Sequence, residues 1–217
     1  MKENIAATLT ELLTLGLEGE VRTDRSSRLM YATDASIYRE EPLAIVYPRH
    51  AEDIKMLLAF AAKHRVGIIP RAAGTSLAGQ VVGSGIVADL SRHFGRILEI
   101  NTEERWVRIE PGVVPEELNA ILRSQGLLFG PETSTSNRCN LGGMIGNNGC
   151  GLHSVVYGSV RDHIIEIRTL LHDGSEAVFR ELTEGQYRQK CALQTAEGEI
   201  YREINRIMAD HENQDAI

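Results

Sequence analysis

Long apolar runs are missing from this sequence, and their absence argues against a membrane-spanning helix. Such a helix needs about 20 apolar residues, and no segment of the 217-residue chain approaches that length. The N-terminal stretch has an apolar pattern, but Glu3, Glu11 and Glu18 interrupt it. Because a secretory signal has an uncharged apolar core, we predict a surface amphipathic helix at this end of the chain.

Cysteine, histidine and basic charge are also scarce. The three cysteines (Cys139, Cys150 and Cys191) form no C-x-x-C pair, which indicates a reducing compartment without disulfides. The seven histidines show no H-x-x-x-H spacing, so no metal site is expected. A formal net charge of -7 and the lack of a basic run argue against a nucleic-acid partner. We predict a cytoplasmic protein, either free or peripheral to the inner face of a membrane.

Residues 43–70 have the pattern of a strand, a helix and a second strand. The runs at 43–48 and 67–70 are short and apolar, and apolar residues recur at helical spacing between them. Basic residues fill the last helical turn, and Gly67 follows as the predicted stop signal. A helix of this length can join two parallel strands by a right-handed crossover.

The rest of the chain mixes helices with short strands. We expect helices over 4–16, 24–31, 114–126, 183–192 and 198–210, strands over 84–90, 95–101 and 105–111, and a hairpin over 164–179. The predicted fold class is therefore α+β. A small βαβ lobe is expected at residues 1–75, and a larger mixed-sheet lobe flanked by helices at residues 76–217.

The first loop (Pro70–Gln80, PRAAGTSLAGQ) follows the second strand, at the end where α/β units commonly bind ligands. Its spacing of Gly74 and Gly79 is that of a nucleotide-triphosphate loop, but Gln80 and Val81 stand where that motif needs Lys and Ser or Thr. Small residues let a ligand approach the backbone, and successive N–H groups can bind an anion. The pattern therefore fits either a phosphate bound without magnesium or a small-residue turn that only packs.

The second segment (140–151, NLGGMIGNNGCG) is even richer in glycine. Glycine at this density is costly in a helix, so we predict that the segment is not a core helix. It is also too long for a simple hairpin turn. Two small-residue segments about 65 positions apart indicate a long ligand held between two lobes, such as a dinucleotide with a central pyrophosphate.

Three stretches in this order resemble the PCMH-type FAD-binding domain of the p-cresol methylhydroxylase / vanillyl-alcohol oxidase flavoprotein superfamily. They are PRAAGTSLAGQ, GPETSTSNRCNLGGMIGNNGCG and VYGSVRDHIIEIRTLLHDGS, and the resemblance covers roughly residues 40–180. The nearer branch is the D-lactate, glycolate and 2-hydroxyglutarate dehydrogenases. The resemblance implies a two-lobed FAD-binding fold and FAD as the cofactor.

The resemblance also implies which residues contact FAD. The first loop would wrap the pyrophosphate with its backbone, while Thr75 and Ser76 donate hydroxyl hydrogen bonds. The second segment and its surroundings would run along the ribityl chain and flavin, and the backbone at Ile164 would meet the adenine end. The implied cofactor contacts are Pro70, Arg71, Ala72, Ala73, Gly74, Thr75, Ser76, Leu77, Gly79, Gln80, Pro131, Thr135, Gly142, Gly143, Asn147, Gly149, Tyr157, Gly158 and Ile164.

Some relatives tether the flavin covalently, but the residues here favour non-covalent FAD. The histidine of one tether is replaced by Thr75, and Cys139 stands at a different spacing from the cysteine of the other. A small buried side chain is the plainer interpretation of Cys139. His153 and His163 are candidates for contacts with cofactor phosphate or substrate, although structural roles are the plainer interpretation here too.

The resemblance implies an FAD-dependent oxidoreductase that takes a hydride from a small 2-hydroxy acid. Its electrons would pass to a quinone, a cytochrome, an iron–sulfur partner or oxygen. The family's substrate lobe is not found in these 217 residues, so an N-terminal fragment is expected, inactive alone, and no catalytic residue is assigned. Two alternatives remain: a stand-alone, non-catalytic FAD-binding module and an NTPase that binds nucleotide phosphates.

Overall fold

A four-stranded sheet organises the first of two compact units, which ends at His163. The computed structural model describes residues 2–210 and 213. The strands of this sheet are β1 (Glu20–Arg22), β2 (Ala44–Tyr47), β3 (Ile68–Arg71) and β4 (Ile86–Asp89). Their order is β1-β2-β4-β3, with β1 antiparallel to β2 and the other three strands parallel.

The parallel strands are apolar because the sheet is covered. Ala44, Ile45 and Val46 of β2 are fully buried, as expected for a parallel strand enclosed on both faces. The buried cluster also includes Leu12 of α1 (Lys2–Leu13) and Leu57 of α3 (Ala51–His64). Each large apolar side chain buried here contributes about 1.5–3 kcal/mol to folding.

The predicted strand–helix–strand unit is confirmed, but its two strands are not neighbours. β4 lies between β2 and β3 and pairs in parallel with both. The sheet therefore takes strands from both predicted lobes, and the predicted boundary at 75/76 falls inside one compact unit. A second difference concerns the end of α3, where Arg65 rather than Gly67 adopts the left-handed conformation with a φ of 53°.

The other predicted elements of the first unit are present. Asp24 caps α2 by accepting a hydrogen bond from the Ser27 amide. β5 and β6 form an antiparallel pair, and the turn between them is closed by the Glu104 amide, which donates to Asn101 Oδ1 at 2.9 Å. These elements are α2 (Arg25–Met30), β5 (Ile97–Asn101), β6 (Trp106–Ile109) and α4 (Pro115–Arg123).

The second segment contradicts the prediction that it forms no core helix. It contains α5 (Leu141–Gly146), with Leu141 and Met144 buried. A short helix, α6 (Ser154–Tyr157), and a 3-10 turn (Val160–His163) follow. Packing outweighs the poor helix propensity of glycine here, since Gly142 and Gly143 let the backbone of α5 approach neighbouring residues closely.

The second unit begins at Ile164 and starts with the predicted hairpin. Asp173 Oδ1 accepts from the Ser175 amide, and Gly174 takes the positive φ that the turn requires. Two helices follow, each capped by a threonine side chain. The elements are β7 (Glu166–Leu170), β8 (Glu176–Arg180), α7 (Glu184–Ala192) and α8 (Ala196–Met208). None of the helices among the described residues has the length and apolar character needed to span a membrane.

Asp53 is a buried carboxylate that joins three parts of the first unit. It lies in the first turn of α3 with 1% exposure. Its Oδ1 accepts from the Glu18 amide at 2.9 Å, and its Oδ2 accepts from the amides of Gly19 at 2.9 Å and Arg49 at 2.8 Å. This side chain therefore fixes the entry to β1 and the exit from β2 against α3.

We predict that Asp53→Ala lowers the free energy of unfolding by about 2–4 kcal/mol, because three amides lose their acceptor. Urea denaturation followed by circular dichroism measures the change. Glu52→Ala is the matched control: Glu52 is exposed and pairs with Lys55 at 2.8 Å, so its loss costs no more than about 0.5 kcal/mol. Equal effects of the two substitutions would contradict the role given to Asp53.

Candidate functional site

The first loop leaves the carboxyl end of β3 and is shaped by two glycines. Gly74 has a φ of +66° and Gly79 a φ of +76°, a region that side chains rarely tolerate. The Gly74 carbonyl accepts from the Ala35 amide at 3.2 Å. A Cβ on Gly79 would lie 2.6 Å from the ring of Tyr38. Both positions therefore require glycine for backbone conformation and for space.

The backbone N–H groups of the first loop are largely free. Within the described part of the chain, the amides of residues 72–77 donate to no protein acceptor. The Ala78 amide donates to Ser76 Oγ at 3.2 Å. Because main-chain donors normally have partners, this run of free amides is available to solvent or to an anion.

The side chain of Arg71 lies beneath this loop. It is 9% exposed, and its guanidinium donates to the carbonyls of Tyr31 at 3.3 Å and Thr33 at 2.9 Å. The same group lies 5.0 Å from the centre of the Tyr31 ring. A Cβ added to Gly74 would lie 2.8 Å from Arg71 Cζ. The guanidinium thus fills the space directly below Gly74.

Tyr31 connects Arg71 to the neighbouring strand. Its hydroxyl donates to Asp89 Oδ2 at 2.5 Å, and Asp89 is the residue on β4 that faces Arg71 on β3. Asp89 Oδ1 also accepts from the amide and hydroxyl of Ser91. Burial of Tyr31, together with its bond to Asp89, raises the pKa of the phenol far above its usual range.

The second segment meets the first loop. The ideal Cβ position of Gly143 lies 3.2 Å from the Ala72 side chain, so these backbones approach closely. Gln80 Nε2 donates to Asn147 Oδ1 at 2.9 Å. The Gly143 amide has no acceptor among the described residues. The structure therefore brings together Ala72, Gln80, Gly143 and Asn147, all of which the resemblance assigns to one ligand.

The second segment is seated on the chain after β6. The amides of Leu141 and Gly142 donate to the carbonyls of Val113 and Pro111, both at 2.8 Å. Asn140 donates from Nδ2 to the Gly112 carbonyl at 2.7 Å. Its Oδ1 is buried and has no partner in the described residues. These hydrogen bonds fix one side of the second segment to residues 111–113, and Gly143 on the same segment approaches the first loop.

The remaining predicted contacts form a second group. Pro131 and Gly149 are buried and Thr135 is half-buried, whereas Tyr157 packs its ring beside Gly130. Gly158 has a φ of +73°. Within the described part of the chain, no hydrogen bond joins these residues directly to the first loop. Ile164 belongs to the second unit.

The two histidines near this group have protein partners. His153 Nδ1 lies 3.0 Å from Glu132, and His163 Nε2 lies 2.7 Å from the Tyr157 carbonyl. These contacts support the structural interpretation of both residues. Cys139 is buried at 4% exposure, with its sulfur 3.5 Å from Thr133 Oγ1.

The fold of this chain matches that of solved structures. Alkyldihydroxyacetonephosphate synthase matches with a TM-score of 0.69 at 23% identity, over 83% of this chain and 35% of that one. The 6-hydroxy-D-nicotine oxidase from Arthrobacter nicotinovorans matches with a TM-score of 0.67 at 24% identity, over 76% and 36%. The predicted α+β FAD-binding fold is confirmed.

The sequence assigns the family. The family model described as "FAD binding domain" matches residues 42–179, and the chain belongs to this family. D-2-hydroxyglutarate dehydrogenase of Pseudomonas putida is 41% identical over 92% of this chain. The protein of that name in Escherichia coli is 44% identical over 76%, and glycolate oxidase subunit GlcD of Bacillus subtilis is 34% identical over 69%.

The chain is short beside these relatives. It spans 20% of the Pseudomonas putida protein, 17% of the Escherichia coli protein and 32% of the Bacillus subtilis subunit. FAD, predicted from the ordered motifs, is confirmed as the cofactor of the family. The site fits this group, since free loop amides suit a pyrophosphate and the glycine contacts leave the backbone accessible.

Sequence reasoning missed the side chains that support the first loop. Tyr31 lies at the end of a short polar helix, and nothing in its local pattern indicates a partner on β4. Asp89 also closes the turn that follows β4, where its Oδ1 accepts from the Ser91 amide. The sequence does offer one signal for Arg71 and Asp89, since each is a charged residue at the end of a short apolar strand.

We predict that Gly142→Ala destabilises the first unit by about 1–3 kcal/mol, because the new Cβ would lie 2.5 Å from Pro111 Cβ. Gly146→Ala is the matched control in the same helix, since a Cβ there meets nothing within 4 Å. It should be neutral or stabilise by up to about 1 kcal/mol. Thermal and urea unfolding measure both; equal destabilisation would refute the close packing of α5.

Proposed function

We propose that this chain is the FAD-binding domain of a flavin-dependent dehydrogenase that takes a hydride from a small 2-hydroxy acid. D-2-hydroxyglutarate is the first candidate substrate, because relatives of that name are 41–44% identical to this chain. Glycolate and D-lactate follow, since the relatives named for them are 34% and 30% identical. The substrate and the activity belong to the whole protein.

One observation carries the cofactor assignment: two glycine-rich segments far apart in sequence meet at a run of free amides. The close approach of Gly143 to Ala72 and the Gln80–Asn147 hydrogen bond support a single binding surface. We assign the pyrophosphate to the first loop, where the amides of residues 72–77 donate to it. Thr75 and Ser76 add hydroxyl donors from the same loop.

The chain's own residues bind and orient the cofactor. The second segment and the group around Tyr157 are assigned to the ribityl and flavin side, and the backbone at Ile164 to the adenine end. Bound FAD supplies the two-electron redox chemistry, and the protein contributes position and electrostatics. The loop lacks the Lys and hydroxyl that a triphosphate site with magnesium needs, which disfavours an NTPase.

The electron acceptor and the cellular location are parts of the same proposal. We propose a quinone, a cytochrome, an iron–sulfur protein or oxygen as the acceptor. We place the protein in the cytoplasm or at the inner face of a membrane, in keeping with three free cysteines in the described residues.

We predict non-covalent FAD. Thr75 carries no group that bonds to flavin, and Cys139 is buried. Acid precipitation of the FAD-loaded chain should therefore release all flavin into the supernatant, as measured by absorbance near 450 nm, a general property of oxidised flavin. Flavin that stays with the precipitate in the native chain but not in Cys139→Ala would identify a cysteine tether.

We predict that the chain binds FAD saturably and that Gly74→Asp weakens binding at least about tenfold, because the new carboxylate repels the pyrophosphate. Flavin fluorescence quenching measures the dissociation constant. Gly126→Asp is the control for backbone conformation and charge: Gly126 has a φ of +70° and open space around it, so it adds the same charge at a positive φ outside the site, without the contact that a Cβ on Gly74 makes with Arg71.

A chain that takes up no FAD under any condition would refute the proposed function. Native-like binding by Gly74→Asp would refute the assignment of the pyrophosphate to the first loop. Equal weakening by Gly126→Asp would attribute the effect to folding, and unfolding curves of both variants distinguish that case.

A further inference from the structure

Arg71 is the buried charged side chain directly beneath the first loop. Its guanidinium donates to the carbonyls of Tyr31 and Thr33, and it lies over the Tyr31 ring at 5.0 Å. No carboxylate oxygen lies within the 4.0 Å of an ion pair among the described residues. Two carbonyl dipoles and a ring face stabilise the charge, but they do not neutralise it.

The nearest candidate counter-charge is already engaged. Asp89 faces Arg71 across β3 and β4, but its oxygens accept from the Tyr31 hydroxyl at 2.5 Å, the Ser91 amide at 2.8 Å and the Ser91 hydroxyl at 2.6 Å. The arrangement holds Asp89 on the Tyr31 side. Positive charge therefore remains under the loop, where low exposure strengthens its field.

The same guanidinium also sets the shape of the loop. The Gly74 Cα sits against it so closely that a Cβ would be 3.0 Å from Nε and 2.8 Å from Cζ. The Gly74 carbonyl accepts from the Ala35 amide, two residues beyond the Thr33 carbonyl that Arg71 holds. Arg71 thus ties residues 31–35 and the loop into one support.

We propose that the Arg71 side chain is a positioning residue for the FAD pyrophosphate. It acts from below the loop: it holds Gly74 in its left-handed conformation and supplies a buried positive charge beneath the free amides of residues 72–77. This role differs from the backbone contact that sequence resemblance implies for Arg71. It rests on the proposed function, because it takes the first loop as the pyrophosphate site.

Arg71→Met should weaken FAD binding about 10- to 100-fold, the loss expected for a charge-assisted interaction. Arg71→Lys should weaken it less, because lysine keeps the charge but cannot hold two carbonyls with a planar fork. The factor of weakening should be similar at low and high salt, because a charge with this little exposure is screened only weakly. Fluorescence titrations at low and high salt measure both effects.

Arg92→Met is the matched control. Arg92 also places its guanidinium over a tyrosine ring, 4.7 Å from the centre of Tyr47, and it pairs with Glu20. Its loss should leave the FAD dissociation constant and its salt dependence unchanged. Thermal unfolding without FAD, run on each variant, separates a loss of affinity from a loss of fold.

A double-mutant cycle with Gly74→Ala tests the contact itself. In the native chain the added methyl meets the guanidinium, and the backbone is strained by its positive φ. In Arg71→Met the flexible methionine side chain can move away from the added methyl, so the steric clash is relieved. The backbone strain at position 74 remains. Gly74→Ala should therefore weaken FAD binding by a smaller factor in the Arg71→Met background.

The proposal is overturned if folded Arg71→Met binds FAD within twofold of the native chain, or if the weakening disappears at high salt, as it would for a surface charge. If Arg71→Met does not fold, Arg71→Lys decides: weakening of about threefold or more supports the proposal, and native affinity overturns it. Failure of the native chain to bind FAD refutes the proposed function itself, so the two failures are distinguishable.

Discussion

The parallel pairing of β4 with both β2 and β3 is the constraint on which the first unit depends. Ile86 and Val87 are fully buried in the middle of the sheet, and the pairing brings the carboxyl ends of β3 and β4 side by side. Arg71 and Asp89 are the last residues of these strands. The first loop must leave the sheet at this edge, and Tyr31 can reach both strand ends from α2.

Glycines lower the helix propensity of the second segment, but they allow it to pack closely against neighbouring residues. A helix such as α5 loses about 1 kcal/mol for each interior glycine relative to alanine. Gly142 meets Pro111 and Gly143 meets Ala72 at distances that any side chain would disturb. The buried Leu141 and Met144 anchor the same helix. Glycine here therefore signals close approach of two backbones, which is compatible with a helix when the packing around it is tight.

Local sequence pattern predicted most elements of this chain but not their arrangement. Apolar periodicity located α1, α3, α4 and the short strands because it reports which face is buried. It carries no information on strand order, so the insertion of β4 between β2 and β3 was missed, as was the three-residue β1. The candidate site divides in the same way. Ordered motifs identified the first loop and second segment, whereas the link from Tyr31 to Asp89 joins residues 58 positions apart and leaves no local trace.

The net negative charge of the chain is physically compatible with a site that binds a pyrophosphate. A protein that follows a polyanion needs many basic side chains on its surface, and this sequence, at -7, has no such run. A single pyrophosphate makes a different demand. Successive free amides, with a guanidinium 9% exposed beneath them, act at short range and are weakly screened by salt. An acidic protein can therefore hold a doubly charged group locally while its surface repels extended polyanions. The lack of basic runs argues against a nucleic-acid partner, but it does not argue against FAD as the cofactor.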